Sequence, residues 1–335
     1  RAEMARERGG VSMAGRTKKQ NIKLPAPKGS RMERIKKDLQ KNYLLYLMLL
    51  PGLFILVCFK AAPVGAMVIA FQDFSAFKGI LGSDWVGLEQ FKKIFQDPYM
   101  LKLVGNTVIL AVLSIVVVFP FPILFSLFLN EVRIKKIRYL VQSLSFLPYF
   151  ISSAIMVSIL YTLVSPSYGL VNMIIEFFGG EPIFFMAEAG WFRPLYIILQ
   201  IWQTFGYSAV IYIAAMMAID TEQYEAADMD GANRWQKMWF ITLPSISSSV
   251  IVMLIISIGN IFSVDLDRII LMYNPSVYET ADVIQSYVYR IAFQSTGFPD
   301  YSYGTAVNML KSVIAFILVI IANKLAARYS ETRLF

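Results

Sequence analysis

The sequence predicts an all-α membrane protein with six spanning helices and one polar helix–turn–helix knob. Three observations carry that expectation. Of 335 residues, 57% are hydrophobic and only 16% are charged, too few charges for a soluble domain of this length. Long apolar runs recur along the chain with no charge or one charge in each. Five acids, Asp220, Glu222, Glu225, Asp228 and Asp230, stand together between two of those runs, so that segment must reach water.

Residues 1–30 are rich in Arg, Lys, Gly, Pro and Ser and read as a disordered basic tail. Met32, Ile35 and Leu39 then share one helical face, with Arg34, Lys36, Lys37 and Lys41 elsewhere. That spacing predicts an amphipathic juxtamembrane helix over 31–42, suited to an anionic leaflet; a charged extension of the first span is the other reading. From 43 to 330 the chain reads as one membrane domain. Leu44–Phe59 is uncharged and continues past Lys60 to Phe71; Leu103–Leu129, Tyr139–Ile175, Pro194–Ile219 and Met238–Val264 are uncharged; Thr305–Asn323 carries only Lys311. About 20 helical residues cross a hydrocarbon core. Spans are therefore expected at 43–71, 104–130, 139–164, 192–219, 245–264 and 305–326. Pro51, Pro63, Pro120, Pro122 and Pro148 fall inside them and read as kinks.

Charge sets the expected orientation. Residues 1–41 hold thirteen Lys or Arg and four acids, a net of +9, against +8 for the whole chain. The basic balance therefore describes a tail and not a nucleic-acid surface. Glu131–Arg138 adds four basic residues in a short loop, and Lys324, Arg328 and Arg333 follow the last span. The positive-inside rule puts these segments, both termini and the 220–244 loop in the cytoplasm. The segments 72–102, 165–191 and 265–304 then face outward. The polar, basic stretch before span 1 does not have the pattern of a cleaved leader, so span 1 is expected to serve as the insertion signal.

Other function classes find little support. There is no histidine, and Cys58 is the single cysteine, so neither His chemistry nor an internal disulfide is available. No Gly-rich phosphate loop is present, and no cofactor site is expected in this chain. Six spans alone would also allow a channel or a membrane enzyme. A channel needs a filter motif and an enzyme needs a cluster of reactive side chains; the sequence has neither.

The segment between spans 4 and 5 is the most specific. Glu225-Ala226-Ala227 favours helix. Gly231 permits a sharp turn with positive φ. Arg234–Phe240 can form a second short helix, and Pro244 suits the start of the next. Glu225, the two alanines, Asp230-Gly231 and the Ile241-x-Leu243-Pro244 ending resemble the EAA loop of importer permeases of the ATP-binding-cassette class. Phe71-Gln72-Asp73, Trp85-Val86-Gly87-Leu88, Asn106-Thr107 and Asn130-Glu131-Val132-Arg133 look like the early part of maltose-type sugar permeases. Tyr273-Asn274-Pro275, Asp282-Val283-Ile284 and Tyr287-Val288-Tyr289-Arg290 resemble the LplB/YteP group, associated with uptake of oligosaccharides released from complex polysaccharides in Gram-positive bacteria. Gly259-Asn260-Ile261-Phe262 and Val264-Asp265-Leu266-Asp267 depart from that pattern by being more polar.

The resemblance implies a permease subunit in a bacterial plasma membrane, moving oligosaccharides by alternating access. It implies a second, similar permease, two cytoplasmic ATPases that bind ATP and Mg, and an extracellular lipid-anchored solute-binding protein. A permease for peptides or other solutes would share the knob. Glu225, Ala226, Ala227, Asp230, Gly231, Ile241, Leu243 and Pro244 would couple to the ATPase. Glu225 would pair with a basic ATPase residue, cap a helix, or simply be solvated. A sugar path needs aromatic faces and polar groups, and Trp202, Gln203, Tyr207, Ser257, Asn260 and Lys311 are the candidates. Segment 265–304 would contact the binding protein, roof the path, or pack as a plain loop.

Overall fold

The computed structural model describes residues 31–262, 264–294 and 299–329. The expected tail over 1–30 lies outside them. The chain forms two compact units, one ending at Val64 and one starting at Gly65. In the first, a helix covers Arg31–Lys41, with Met32 and Leu39 exposed. Asp38 accepts from Asn42 Nδ2 at 2.7 Å and from the Tyr46 hydroxyl at 2.6 Å, tying that helix to the start of span 1.

Four continuous helices are long and apolar enough to cross a membrane: Tyr43–Phe71, Pro98–Asn130, Ala189–Met217 and Tyr301–Ala326. Two further spans are bent pairs, Lys135–Phe150 with Ser153–Val164, and Arg234–Ser245 with Ser247–Gly259. Counting each pair as one gives six. The only strands among the described residues are a short antiparallel pair, Gln72–Asp73 with Asp84–Trp85. The protein is thus an all-α membrane protein.

Span 3 bends at the expected proline, and span 5 bends at its start, where no kink was expected. Span 3 turns by 106° after a 3-10 turn, Leu147–Phe150, that contains Pro148, and the Ser152 side chain caps the helix that follows. Span 5 turns by 58° and stops at Gly259, short of the expected 264. Proline acts differently in spans 1, 2 and 5. Val57–Ala61, Ser114–Val118 and Met238–Thr242 are π-helical turns, and each ends two residues before a proline: Pro63, Pro120 and Pro244. In span 2 the Phe119 N–H donates five residues back to Ser114 at 2.9 Å. Proline has no N–H, and its ring crowds the carbonyl four residues back. A widened turn accommodates both effects without breaking the helix.

The main core joins spans 3 and 4 to the segment after span 5. Met156, Tyr196 and Leu199 pack with Ile269, Met272, Val277 and Val283. The described residues of segment 265–304 are folded and packed on the spans. It folds as short helices, Leu266–Met272 and Ile284–Phe293 the longest, and its apolar residues are as buried as those of the spans. Asn106 in span 2 donates to the carbonyls of Glu279 at 3.0 Å and Asp282 at 2.9 Å, and accepts from Arg193 at 2.8 Å. Asp282 is wholly buried, and its carboxylate accepts from Tyr99, Ser286 and both terminal nitrogens of Arg290. Burial, then Tyr303 and Asp97, raise the Tyr287 hydroxyl above a tyrosine's ordinary pKa, so it stays protonated to donate to Asp97.

Candidate functional site

The knob is built from local signals. Asp220 caps the helix Thr221–Met229 by accepting from the Glu222 N–H at 3.0 Å. That helix ends in a Schellman motif. Gly231 takes φ 75°, its N–H bonds the Asp228 carbonyl, and the Ala232 N–H reaches Ala227 at 2.9 Å. Asn233 and Gln236 form a reciprocal capping box that starts the next helix, Arg234–Ser245. Lys237 pairs with Asp228 at 2.6 Å.

Two links join this unit to the spans. The Tyr224 hydroxyl meets the hydroxyl of buried Thr242 at 2.9 Å, inside the π-turn of span 5. Arg234 lies 3.8 Å from the Glu131 carboxylate, and Trp235 packs edge-on against Phe128 at the end of span 2.

The outward side is a mixed surface. Glu225, Ala226, Asp230 and Gly231 are exposed, and Ala227 is half-buried. Glu225 has no hydrogen bond or ion pair with any described residue. Met229, Trp235, Trp239 and Phe240 are all exposed nearby, Met229 at 89%. Ile241 and Leu243 are half-buried, with Leu243 against the core of spans 2 and 4, while Pro244 is exposed.

A cavity of 470 Å³ opens between spans 2, 4 and 5. Ser257 and Asn260 line it together with Ser114, Gln200, Thr204 and Ser208. Tyr196 and Tyr212 add ring faces, and Asp265 and Arg268 are the charged groups on its wall. Ser114 donates to Gln200 at 3.1 Å across spans 2 and 4.

Of the six residues expected along a path, Ser257 and Asn260 line this wall and the other four do not. Gln203 is a buried brace: Nε2 donates to the Ile151 carbonyl at 2.9 Å, at the break in span 3, and Oε1 accepts from Arg268 at 2.6 Å. Trp202 is exposed on the other side of span 4. Tyr207 stacks on Tyr149 with ring centroids 3.9 Å apart. Lys311 is half-buried in span 6, off the cavity wall, with no partner among the described residues.

Asp265 and Arg268, which the sequence reads as charges near a span end that snorkel or pair, were not among the residues expected along a path, yet they stand at the cavity's edge. Asp265 caps the helix Leu266–Met272 and contacts Arg268 Nη2 at 3.0 Å. The guanidinium also lies over the Tyr196 ring at 5.3 Å. Arg268 is 3% exposed, and its Nε has no hydrogen-bond partner among the described residues. The signal was the unusual polarity of Val264–Asp267, with an acid and a base three residues apart in apolar surroundings.

Six spans with a polar cavity between spans 2, 4 and 5 suit a membrane transport subunit. The family described as "Binding-protein-dependent transport system inner membrane component" matches residues 122–334, and this chain belongs to it. It is a permease component of an ABC transporter, a multi-pass membrane protein and not an enzyme. The polygalacturonan/rhamnogalacturonan transport system permease protein YteP of Bacillus subtilis (strain 168) is 43% identical over 308 residues, covering 92% of this chain and 95% of that one. Protein LplB of the same strain is 39% identical over 297 residues, 89% of this chain and 92% of that one. A crystal structure of a bacterial alginate ABC transporter, in complex with an alginate pentasaccharide-bound periplasmic protein, superposes with a TM-score of 0.82. The identity is 37%, over 90% of this chain and 100% of that one.

Proposed function

We propose that this chain forms half of the membrane path of an importer that carries oligosaccharides into the cytoplasm by ATP-driven alternating access. The observation that carries this reading is the double attachment of the knob. Tyr224 joins it to the π-turn of span 5, and Arg234 and Trp235 join it to the end of span 2. Those two spans supply much of the cavity wall. A push on the knob therefore moves the walls of the cavity directly.

In this reading the exposed face around Glu225 docks on a cytoplasmic ATPase, which binds ATP and Mg. A second, similar permease completes the path, and a lipid-anchored binding protein delivers sugar from outside. In this reading both termini lie in the cytoplasm, which the basic residues flanking the first and last spans support. ATP closes the ATPase pair, the knobs approach each other, and the spans change from inward-facing to outward-facing. Each state is stabilised by different contacts, as any such switch must be. The oligosaccharide class is supported by similarity to permeases named for polygalacturonan and to the alginate transporter, and by the hydroxyl and amide lining of the cavity.

The test uses the complete complex in vesicles. Glu225→Lys places a cation where a basic ATPase residue is expected, and Gly231→Val forces a β-branched residue to φ 75°. Both variants should assemble, yet lose sugar transport and sugar-stimulated ATP hydrolysis. Full transport by both variants would remove the knob as the coupling element.

A further inference from the structure

Span 3 ends at Val164, and residues 165–169 turn the chain into a helix, Leu170–Phe177. That helix is held at the end of the span. Asn172 is buried, and its Nδ2 donates to the carbonyls of Val164 at 3.0 Å and Ser165 at 3.1 Å. Its Oδ1 accepts from the Ile183 N–H at 2.8 Å. A Cβ at Gly169 would fall on the Ser165 backbone, so the turn leaves no room for a side chain. Ile175 packs against the main core. The helix therefore sits level with the last residues of span 3.

Its opposite face is exposed and apolar. Leu170, Met173, Ile174, Phe177 and Phe178 are 50–84% exposed. At about 100° per residue they fall within about 140° of arc, and Asn172, Ile175 and Glu176 fall outside it. Leu163 and Tyr168, at the end of the span and in the turn, are exposed as well. The chain is a multi-pass membrane protein, so the apolar surface of its spans meets lipid, and this face continues that surface at the span's end. A water-soluble partner would surround an apolar centre with polar contacts, and this arc offers no side chain to make them. Acyl chains ask for none. We propose that Leu170–Phe177 is an interfacial anchor, with its apolar face lying in the lipid leaflet where span 3 ends. Residues 165–191 carry three glutamates and no Lys or Arg, so the anchor takes neutral lipid without an anionic headgroup. Through Asn172 it fixes the depth of the end of span 3 in the bilayer.

The experiment uses the unaltered complete complex in phosphatidylcholine vesicles that contain a phosphatidylcholine with a diazirine near the top of one acyl chain. After irradiation, labelled residues are mapped by mass spectrometry. Label is expected on Leu170, Met173, Ile174, Phe177 and Phe178, and not on Asn172 or Glu176. Label on the spans with none over 170–178 overturns the proposal. A second measurement places spin labels, in a Cys58→Ser background, at Met173→Cys, Phe177→Cys and Glu176→Cys. The labels at 173 and 177 should be reached by oxygen and shielded from a water-soluble nickel chelate, and the label at 176 should show the reverse. Free access of the chelate to 173 and 177 means that the face meets water and overturns the proposal. Shielding of 173 and 177 from both reagents assigns the face to a protein partner and overturns it as well.

Discussion

The knob over 220–244 and the segment over 265–304 flank the same span and are held in opposite ways. The knob is exposed, and its bonds are short in sequence: Asp220 to Glu222, Asn233 to Gln236, Lys237 to Asp228. The later segment is buried, and its bonds are long. Asn106 reaches Asp282 across 176 positions, and Tyr287 reaches Asp97 across 190. A partner can grip the first without unfolding the protein. The second holds spans 2, 4 and 6 in one body, and in the proposed reading it is the frame against which the knob would push. Damage to the frame should appear as lost stability, and damage to the knob as lost coupling.

The strongest way to break this comparison is at Arg290. Arg290→Ala strips the counter-charge from Asp282, whose side chain is 1% exposed. Leaving a buried carboxylate unpaired should cost about 3 kcal/mol or more. The measurement is thermal unfolding of the purified chain in detergent; an unchanged midpoint would show that the segment is not part of the frame. Asn106→Ala should come next, at about 2 kcal/mol, because two carbonyls and Arg193 each lose a partner.

Gly231→Val should strain the knob by about 1–3 kcal/mol without moving the unfolding midpoint of the spans. Gly231→Asn should retain most transport, since asparagine tolerates the left-handed conformation. Loss of the spans' thermal stability in Gly231→Val would mean the knob is not separable from the frame. The smallest effect is expected at Lys237→Met. Its bridge to Asp228 is partly exposed, so stability and transport should change by less than about 0.5 kcal/mol equivalent.

Much of the fold was legible because its code is local. Apolar runs give the spans, and Pro148 foretells the irregularity in span 3. Gly231 in its turn is equally legible, since a positive φ selects for glycine within a few residues of sequence. The rest depends on partners far along the chain. Nothing near Gln203 announces that it ties Ile151 to Arg268. Nothing in Ile269, Val277 or Val283 tells a buried wedge from an apolar loop. The π-turns are the intermediate case: a proline foretells an irregularity, but the choice between a kink and a widened turn rests on packing around the helix.

The π-turn at Ser114–Val118 acts as an angular offset in span 2. Upstream, Met100, Leu103, Asn106 and Thr107 face the buried segment; downstream, Ile123 and Leu127 face the core of spans 4 and 5. Each residue added to a helix advances its azimuth by about 100°. Removing one residue from this turn would keep the helix continuous and apolar, yet rotate one half against the other by roughly that angle. Asn106 would then point away from Asp282, or Ile123 away from Tyr212. Length is therefore as strictly constrained as chemistry in the middle of this span, and a one-residue deletion there does more harm than many substitutions of one apolar residue for another.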